Sequence, residues 1–375
     1  MSPGRALGAI RLLGLAALLA ACSSTDKPKP APLEAYAPSI AGRQVWSASI
    51  GSIDFPLALA APRNGQFVAA SSNGTVLALD AATGAEAWRA QAGAALTAGV
   101  GSDGRFAAVV TRNNEVVTFD GGQLRWKQRL PASVVTAPLV AGERVFVLAV
   151  DRSVHAFDAL DGRRLWSFQR PGDALTLAQA GVLMAARNQL VVGQGSRMLA
   201  LDPLRGTVNW DVAVATPRGS NEVERLADLV GPAARQGDRV CARAFQNAVG
   251  CVDIARNALA WVRNTGGTAA VAANAERVFG GDASDRLTAW NAANGDLAWS
   301  HERLLHRGLS GALAVGPSVV FGDREGLVHF LSAADGSLQL RLPTDGKPVI
   351  GTPVLSGNTL LVATRVGGLF AFRPN

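Results

Sequence analysis

Short apolar runs separated by turn residues make up most of the chain after about residue 40. A representative run is "TVLALD" at 75–80, which is followed by "AATG". Gly84 in that segment can take the positive φ that a tight turn requires. Runs of this length that are rich in Val, Leu and Ala are typical of short strands rather than helices. The pattern therefore predicts an all-β fold.

The same pattern recurs with a period near 40 residues. Segments such as "ALDAATGAEAW" at 78–88 end in a tryptophan or an equivalent apolar residue. These anchor positions are Trp46, Trp88, Trp126, Trp166, Trp210, Trp261, Trp299 and Leu340. A period near 40 with about four strands per unit predicts a β-propeller. An indole buries about 150 Å² or more, so we expect the seven tryptophans to pack adjacent blades together.

Eight anchors predict a single eight-bladed propeller with four-stranded antiparallel blades over residues 40–375. Trp46 lies at the start of this region with no strand before it, and "GGLFAFRPN" at 367–375 has no anchor after it. The N-terminal strand "QVWSASI" is therefore expected to join the C-terminal blade. This pairing closes the ring and hides the sheet edges. The alternative of two four-bladed domains lacks a linker in the middle of the chain.

The first 21 residues have the parts of a secretory signal peptide. Arg5 and Arg11 supply positive charge, and the apolar core at 12–19 is too short to span a bilayer as a helix. The chain is then expected to be exported. Removal of residues 1–21 lowers the formal net charge from +7 by the two arginines, since the segment contains no acid.

The signal ends in Leu-Ala-Ala-Cys, which resembles a bacterial lipobox. Cys22 is the predicted lipidation site, the alternative being an ordinary cleaved signal. Residues 22–39 are predicted to be the lipidated cysteine and a flexible tether rich in Pro, Ala and Ser. Ser23 after the cysteine favours the outer membrane. The predicted location is the periplasmic face of the outer membrane, with a lipid anchor.

The mild positive charge does not indicate a nucleic-acid partner. No cluster of Lys and Arg with interleaved aromatic residues is present in the sequence. A slightly basic, solvated surface accounts for this composition.

The repeat resembles the PQQ-type propeller repeat, "A-x-D-x-x-T-G-x-x-x-W". That family includes quinoprotein dehydrogenases as well as scaffolds without a cofactor. The enzymes of that family use a vicinal cysteine pair and a Ca²⁺ ion. Here Cys22, Cys241 and Cys251 are not vicinal, and no acidic cluster is evident. The sequence therefore predicts no cofactor, no metal and no catalytic residue. A PQQ-dependent periplasmic dehydrogenase, another periplasmic enzyme or a polymer-binding module stays an alternative.

Histidine and cysteine spacing leads to two further expectations. His155 and His329 occupy the same repeat position in different blades, which favours a packing role over a shared metal. Cys241 and Cys251 suit a disulfide in an oxidising compartment. However, a two-residue turn at 246–247 would place the two thiols on opposite faces of the hairpin. A bulge or a longer turn would restore the pair, so the disulfide stays open.

Two stretches are more specific than the repeat. They are "GSNEVERLADL" at 219–229 and "RLLHRGLSGALAVGPSVVFGDREGLVHFLSAADG" at 303–336. Both resemble the BamB family of lipoproteins from the β-barrel assembly machinery. The first matches "E-[IV]-[DE]-R-L-x-D", and the second matches "L-L-H-R" and "G-D-x-E-G-x-[LV]-H". The matching residues are Glu222, Val223, Glu224, Arg225, Leu226, Asp228, Leu304–Arg307, Gly322, Asp323, Glu325, Gly326, Val328 and His329.

The resemblance implies a scaffold that binds the periplasmic POTRA domains of BamA as a monomer within the complex. It implies partner-binding residues on two loops, at 171–179 and 218–231. These residues are Leu175, Leu177, Glu222, Arg225 and Asp228.

Two positions depart from the pattern of the family. Ala178 stands where the family has Arg, and Val230 stands where it has a second acid. Packing within a blade is the alternative role for the two leucines. Capture of unfolded outer-membrane proteins along a blade edge is a second, weaker hypothesis.

Overall fold

The computed structural model describes residues 28–170 and 175–374, so Cys22 and the signal segment lie outside the described residues. The regular structure in these two ranges is entirely β. The strands are β1 Gly42–Ser49, β2 Gln66–Ala70, β3 Thr75–Asp80, β4 Glu86–Gln91, β5 Gly101–Ser102, β6 Phe106–Val110, β7 Glu115–Asp120, β8 Gln123–Arg129, β9 Leu139–Ala141, β10 Arg144–Leu148, β11 Val154–Asp158, β12 Arg164–Phe168, β13 Leu183–Ala186, β14 Gln189–Gln194, β15 Arg197–Leu201 and β16 Val208–Ala213. They continue as β17 Leu229–Gln236, β18 Arg239–Ala244, β19 Ala248–Asp253, β20 Ala258–Arg263, β21 Ala272–Ala273, β22 Arg277–Gly281, β23 Leu287–Asn291, β24 Leu297–His301, β25 Leu313–Val315, β26 Ser318–Gly322, β27 Leu327–Ser332, β28 Leu338–Pro343, β29 Val349–Ser356, β30 Thr359–Thr364 and β31 Gly368–Pro374.

These strands form eight antiparallel sheets, so the prediction of an eight-bladed propeller is confirmed. Seven sheets have four strands each, and the first blade has the three strands β2–β4. The innermost position of the first blade is held by a single bridge between Ala60 and Val68, with N–H to O distances of 2.9 and 2.8 Å. No membrane-spanning helix is found among the described residues.

The ring is closed by the N-terminal strand, as the sequence predicts. β1 pairs with β31 and becomes the outermost strand of the eighth blade. The register runs from Gly42 opposite Pro374 to Ser49 opposite Gly368. The two ends of the propeller region therefore hold each other in one sheet.

The second and third strands of each blade form the core. Every residue of β6 is buried, and β3 is buried from Thr75 to Leu79. A strand buried on both faces needs apolar or small residues at successive positions, because blades pack on it from both sides. This explains the continuous Val, Leu and Ala runs of the sequence.

Tryptophans of the outermost strands join neighbouring blades. The indole N–H of Trp126 donates to the backbone oxygen of Ala159 in the next blade at 2.9 Å. Gly162 in the same turn has positive φ, and a Cβ there would lie 2.6 Å from the indole. A glycine is thus required where the indole ring of Trp126 packs against this turn. Trp210 differs, since its indole donates to the side chain of Gln189 at 2.9 Å.

A disulfide joins Cys241 in β18 to Cys251 in β19, with Cα atoms 4.0 Å apart. The expectation of a two-residue turn is wrong, because residues 245–247 connect the two strands. The longer connection sets Cys241 directly opposite Cys251 on one face of the hairpin. Both cysteines are buried.

The compact unit begins at Ala31, within the predicted tether. Residues 31–39, which we call the strap, contain no strand. They nevertheless contact the seventh blade, formed by β25–β28, through backbone and side-chain groups.

Candidate functional site

Two kinds of connection lie at one end of the blades, which we call the loop face. One kind joins an outermost strand to the next blade, and the other joins the second and third strands. Leu175 and Leu177 lie in the connection between β12 and β13, whose residues 171–174 are outside the described part. Glu222, Arg225 and Asp228 lie in the connection between β16 and β17. The five residues predicted to bind a partner therefore share one face.

Asp228 connects the two loops. Its Oδ2 accepts a hydrogen bond from the backbone N–H of Leu177 at 2.9 Å. Its Oδ1 lies 3.5 Å from Nη2 of Arg152, and the two side chains are 18 and 16 % exposed. Both carboxylate oxygens thus have partners inside the protein, and Asp228 holds Leu177 in place.

Arg152 is a site residue that the sequence analysis missed. It lies in the turn between β10 and β11 with φ of 66°, and its Nη2 donates to the backbone oxygen of Leu175 at 3.3 Å. Its own backbone oxygen accepts a hydrogen bond from Nε2 of Gln194 at 2.9 Å. The guanidinium therefore links Leu175 with Asp228. A positive φ at a residue other than Gly is the local signal of such a turn, but it cannot be read from the sequence.

Backbone hydrogen bonds continue this connection towards the centre of the propeller. The N–H of Gly231 donates to the oxygen of Ala180 at 2.8 Å, and Gly181 forms a bridge with Val230. Val230 is buried. The apolar residue at this position therefore packs inside, where an unpaired carboxylate would be costly.

Residues 220–226 form a turn that is stabilised by its own side chains. Oε2 of Glu224 accepts hydrogen bonds from the backbone N–H of Ser220 at 2.8 Å and from its hydroxyl at 3.0 Å. These bonds lower the pKa of Glu224. Glu222 and Arg225 in this turn are exposed, so their side chains are available to a partner.

Two adjoining cavities lie between the loops. One has a volume of about 270 Å³ and is lined in part by Leu175, Glu222, Arg225 and Asp228. The other, of about 50 Å³, is lined in part by Leu177 and Asp228. The structure thus brings all five predicted residues to one place. Half-buried leucines beside charged side chains offer an apolar contact with a polar rim, the arrangement usual for a protein interface.

A further cavity of about 530 Å³ lies at the mouth of the central channel on the same face. Its charged lining residues are Asp54, Arg324 and Arg365. The bonded cysteines lie in β18 and β19 and do not line this cavity. Residues 28–170 and 175–374 contain no cluster of His, Cys, Asp and Glu suited to a metal ion. The channel therefore does not fit the residue set of a quinoprotein site.

The second motif forms a buried network on the seventh blade. Oδ2 of Asp323 accepts hydrogen bonds from Nε of Arg307 at 2.8 Å and from Nε2 of His329 at 2.9 Å. Nδ1 of His329 accepts from Nε of Arg341 at 3.4 Å, so the proton of the neutral ring lies on Nε2. Burial lowers the pKa of His329, in agreement with a neutral imidazole. Arg307, Asp323 and His329 are 3, 0 and 0 % exposed.

Comparison with known proteins agrees with this architecture. A family model described as "Outer membrane protein assembly factor BamB" matches residues 72–301. A protein of that name from Bordetella pertussis is 36 % identical over 382 residues, covering 100 % of this chain and 98 % of the relative. The chain belongs to the BamB family. The crystal structure of BamB from Moraxella catarrhalis has a TM-score of 0.80 at 24 % identity, covering 88 % of this chain and 99 % of that one.

The propeller is also shared with proteins of other function. Quinohemoprotein alcohol dehydrogenase from Comamonas testosteroni has a TM-score of 0.65 at 15 % identity, covering 88 % of this chain and 76 % of that chain. Identity this low shows the fold alone. The relation to BamB differs, since it rests on sequence over the whole length.

Proposed function

We propose that this BamB-family chain is a non-catalytic scaffold subunit of the β-barrel assembly machinery. It binds the POTRA domains of BamA as a monomer within the complex and assists the folding of outer-membrane proteins. Cys22 carries the lipid anchor at the periplasmic face of the outer membrane. The observation that carries the proposal is the joining of the two loops by Asp228, which presents Leu175 and Leu177 together.

A fixed pair of leucines suits a protein interface. Apolar side chains that lose contact with water at the centre of an interface dominate its binding energy. Because hydrogen bonds and an ion pair already hold the backbone of Leu175 and Leu177, these two residues lose little conformational freedom when the partner binds. The exposed Glu222 and Arg225 then belong to the polar rim, where charge affects the rate and selectivity of association.

The test is binding of the purified POTRA region of BamA to the full-length lipoprotein in detergent. We expect Leu175→Asp with Leu177→Asp to weaken binding by about 100-fold or more, in line with the loss of two central apolar contacts. Leu175→Ala with Leu177→Ala should weaken it less. Thermal unfolding of each variant verifies that the propeller is intact.

Leu124→Asp with Leu297→Asp is the matched control. These leucines are exposed on the outermost strands β8 and β24, so the control adds the same two charges away from the loops. It should bind like the wild type. Wild-type affinity of a folded Leu175 and Leu177 double variant contradicts the proposed site, and binding that is lost in the control instead points to the blade edges.

A further inference from the structure

The strap is attached to the buried network of the seventh blade. The N–H of Ala31 donates to the backbone oxygen of Leu305 at 2.8 Å. The oxygen of Ala31 accepts a hydrogen bond from Nη1 of Arg307 at 3.0 Å. Nε and Nη2 of the same guanidinium contact Asp323 and Glu325. The strap carbonyl is therefore the partner of a buried cation, and release of the strap would leave that N–H without it.

Three more contacts hold the strap along the blade. Oε2 of Glu34 lies 3.6 Å from Nε of Arg303. The centre of the Tyr36 ring lies 5.1 Å from the guanidinium carbon of Arg341. The N–H of Ser39 donates to the oxygen of Gln339 in the outermost strand β28 at 3.0 Å. Contacts are thus spread from the first residue of the strap to the last.

These contacts give the strap a direction. Leu305 and Arg307 lie in the connection between β24 and β25, at the loop face. Gln339 lies near the start of β28, after the turn at 333–337, which is at the opposite end of the blade. The chain therefore passes from the loop face to the opposite end before β1 begins.

We propose that the strap makes the loop face the membrane-facing side of the propeller. This proposal rests on lipidation of Cys22 as part of the proposed function. Nine residues lead from Cys22 to Ala31, and an extended chain of that length spans about 30 Å. Without the docked strap, the tether would start at Gly42 on the opposite end and would reach about 70 Å. Docking thus shortens the tether by more than half and moves its start to the face that carries Leu175 and Leu177.

The test measures the distance of each face from a bilayer. The full-length lipoprotein is placed in lipid nanodiscs that contain a headgroup-linked nitroxide quencher. A fluorophore is attached through Val366→Cys at the loop face, or through Ala334→Cys in a turn at the opposite end. Both residues are exposed, and Cys241 and Cys251 are bonded to each other. We expect quenching at Val366→Cys to exceed that at Ala334→Cys at least about threefold.

Replacement of residues 31–36 by a Gly and Ser segment of the same length should bring the two quenching values together. The matched control replaces 23–28 in the same way, keeps the docked strap and should keep the difference. Hydrogen exchange at the backbone amides of positions 31 and 39 reports in each variant whether the strap is docked. Equal quenching of both faces in the wild type overturns the proposal, as does a difference that survives release of the strap.

Failure of the proposed function gives a different result. A chain without the lipid does not bind the nanodiscs and exposes a free thiol at Cys22 for labelling. The binding assay with the POTRA region in detergent tests the two loops, and its result does not depend on how the propeller faces a membrane. Intact POTRA binding with equal quenching would therefore reject only the role of the strap.

Discussion

The carboxylate of Asp228 accepts a hydrogen bond from the backbone N–H of Leu177 at 2.9 Å, across 51 residues of sequence. This one contact attaches the connection between β12 and β13, which we call the leucine loop, to the connection between β16 and β17, which we call the acidic loop. It makes Asp228 a positioning residue in this chain, because its oxygens are occupied by Leu177 and Arg152.

Removal of this carboxylate should loosen the leucine loop. We expect Asp228→Ala to lower the free energy of unfolding by about 1.5–3 kcal/mol, the usual range for a hydrogen bond to a charged group. Asp228→Asn keeps an acceptor for the N–H of Leu177 and should cost less. Urea unfolding measures the free energy, and hydrogen exchange at Leu177 measures the loop. Asp161→Ala, at an exposed turn, is the control and should change the free energy of unfolding little. Equal losses of stability at both positions would contradict the role of Asp228.

Loss of Arg307 should destabilise the propeller strongly. Arg307→Met leaves the fully buried Asp323 without its cationic partner, and breaking a buried ion pair costs about 3–5 kcal/mol. Arg303→Met removes an exposed arginine four residues earlier and should cost less than about 1 kcal/mol. Urea unfolding of the two variants checks the difference. A small effect at Arg307 would show that the network is not structural.

Stability should fall as the solution becomes mildly acidic. Burial lowers the pKa of His155, His301 and His329 below the ordinary 6.5. Below that pH the unfolded chain binds protons that the folded protein does not bind, so the free energy of unfolding decreases as pH falls. The decrease is at most about 1.4 kcal/mol per pH unit for each histidine.

Urea midpoints between about pH 7.5 and 5.5 measure this dependence. His155→Leu removes one of the three groups and should flatten the curve in part, while the free energy of unfolding at neutral pH changes less. An unchanged slope in that variant would show that His155 titrates in the folded protein as it does in the unfolded chain.

The disulfide should stabilise the fifth blade, β17–β20. Cys241→Ala with Cys251→Ala opens a loop of 10 residues, for which chain entropy predicts a loss of about 2–3 kcal/mol. Chemical reduction of the wild type should lower the unfolding temperature by about as many degrees as the double substitution does. Thermal unfolding with and without reductant checks both, and the double variant should not respond to reductant.

The sequence was sufficient to predict the propeller because its period is local. The spacing from Trp46 to Leu340 indicates eight units, and the unmatched ends indicate the closing strand, which the register of Gly42 with Pro374 confirms. The prediction of the disulfide stayed open because it depended on the number of residues in one turn. A third residue at 245–247 changes the register, and apolar periodicity does not specify turn length.

The candidate site was predictable only in part. The loops follow from motifs, but Arg152 meets Asp228 across 76 residues and belongs to a third blade. Such meetings depend on how the ring places its blades, which no local pattern records. The strap shows the same limit. A segment rich in Pro and Ala contains little to bury, yet Arg307 binds its backbone carbonyl, which any residue supplies.

Ring closure by β1 also has a consequence for the order of folding. Gly42 and Pro374 are separated by about 330 residues, so the last blade is completed only when both ends of the propeller region are present. By loop-closure entropy this contact costs only about 2 kcal/mol more than closing one 40-residue blade. The high contact order therefore delays completion of the ring more than it weakens the finished ring. Until the ring closes, the first and last strands keep free edges, so they are the segments most able to pair with other chains.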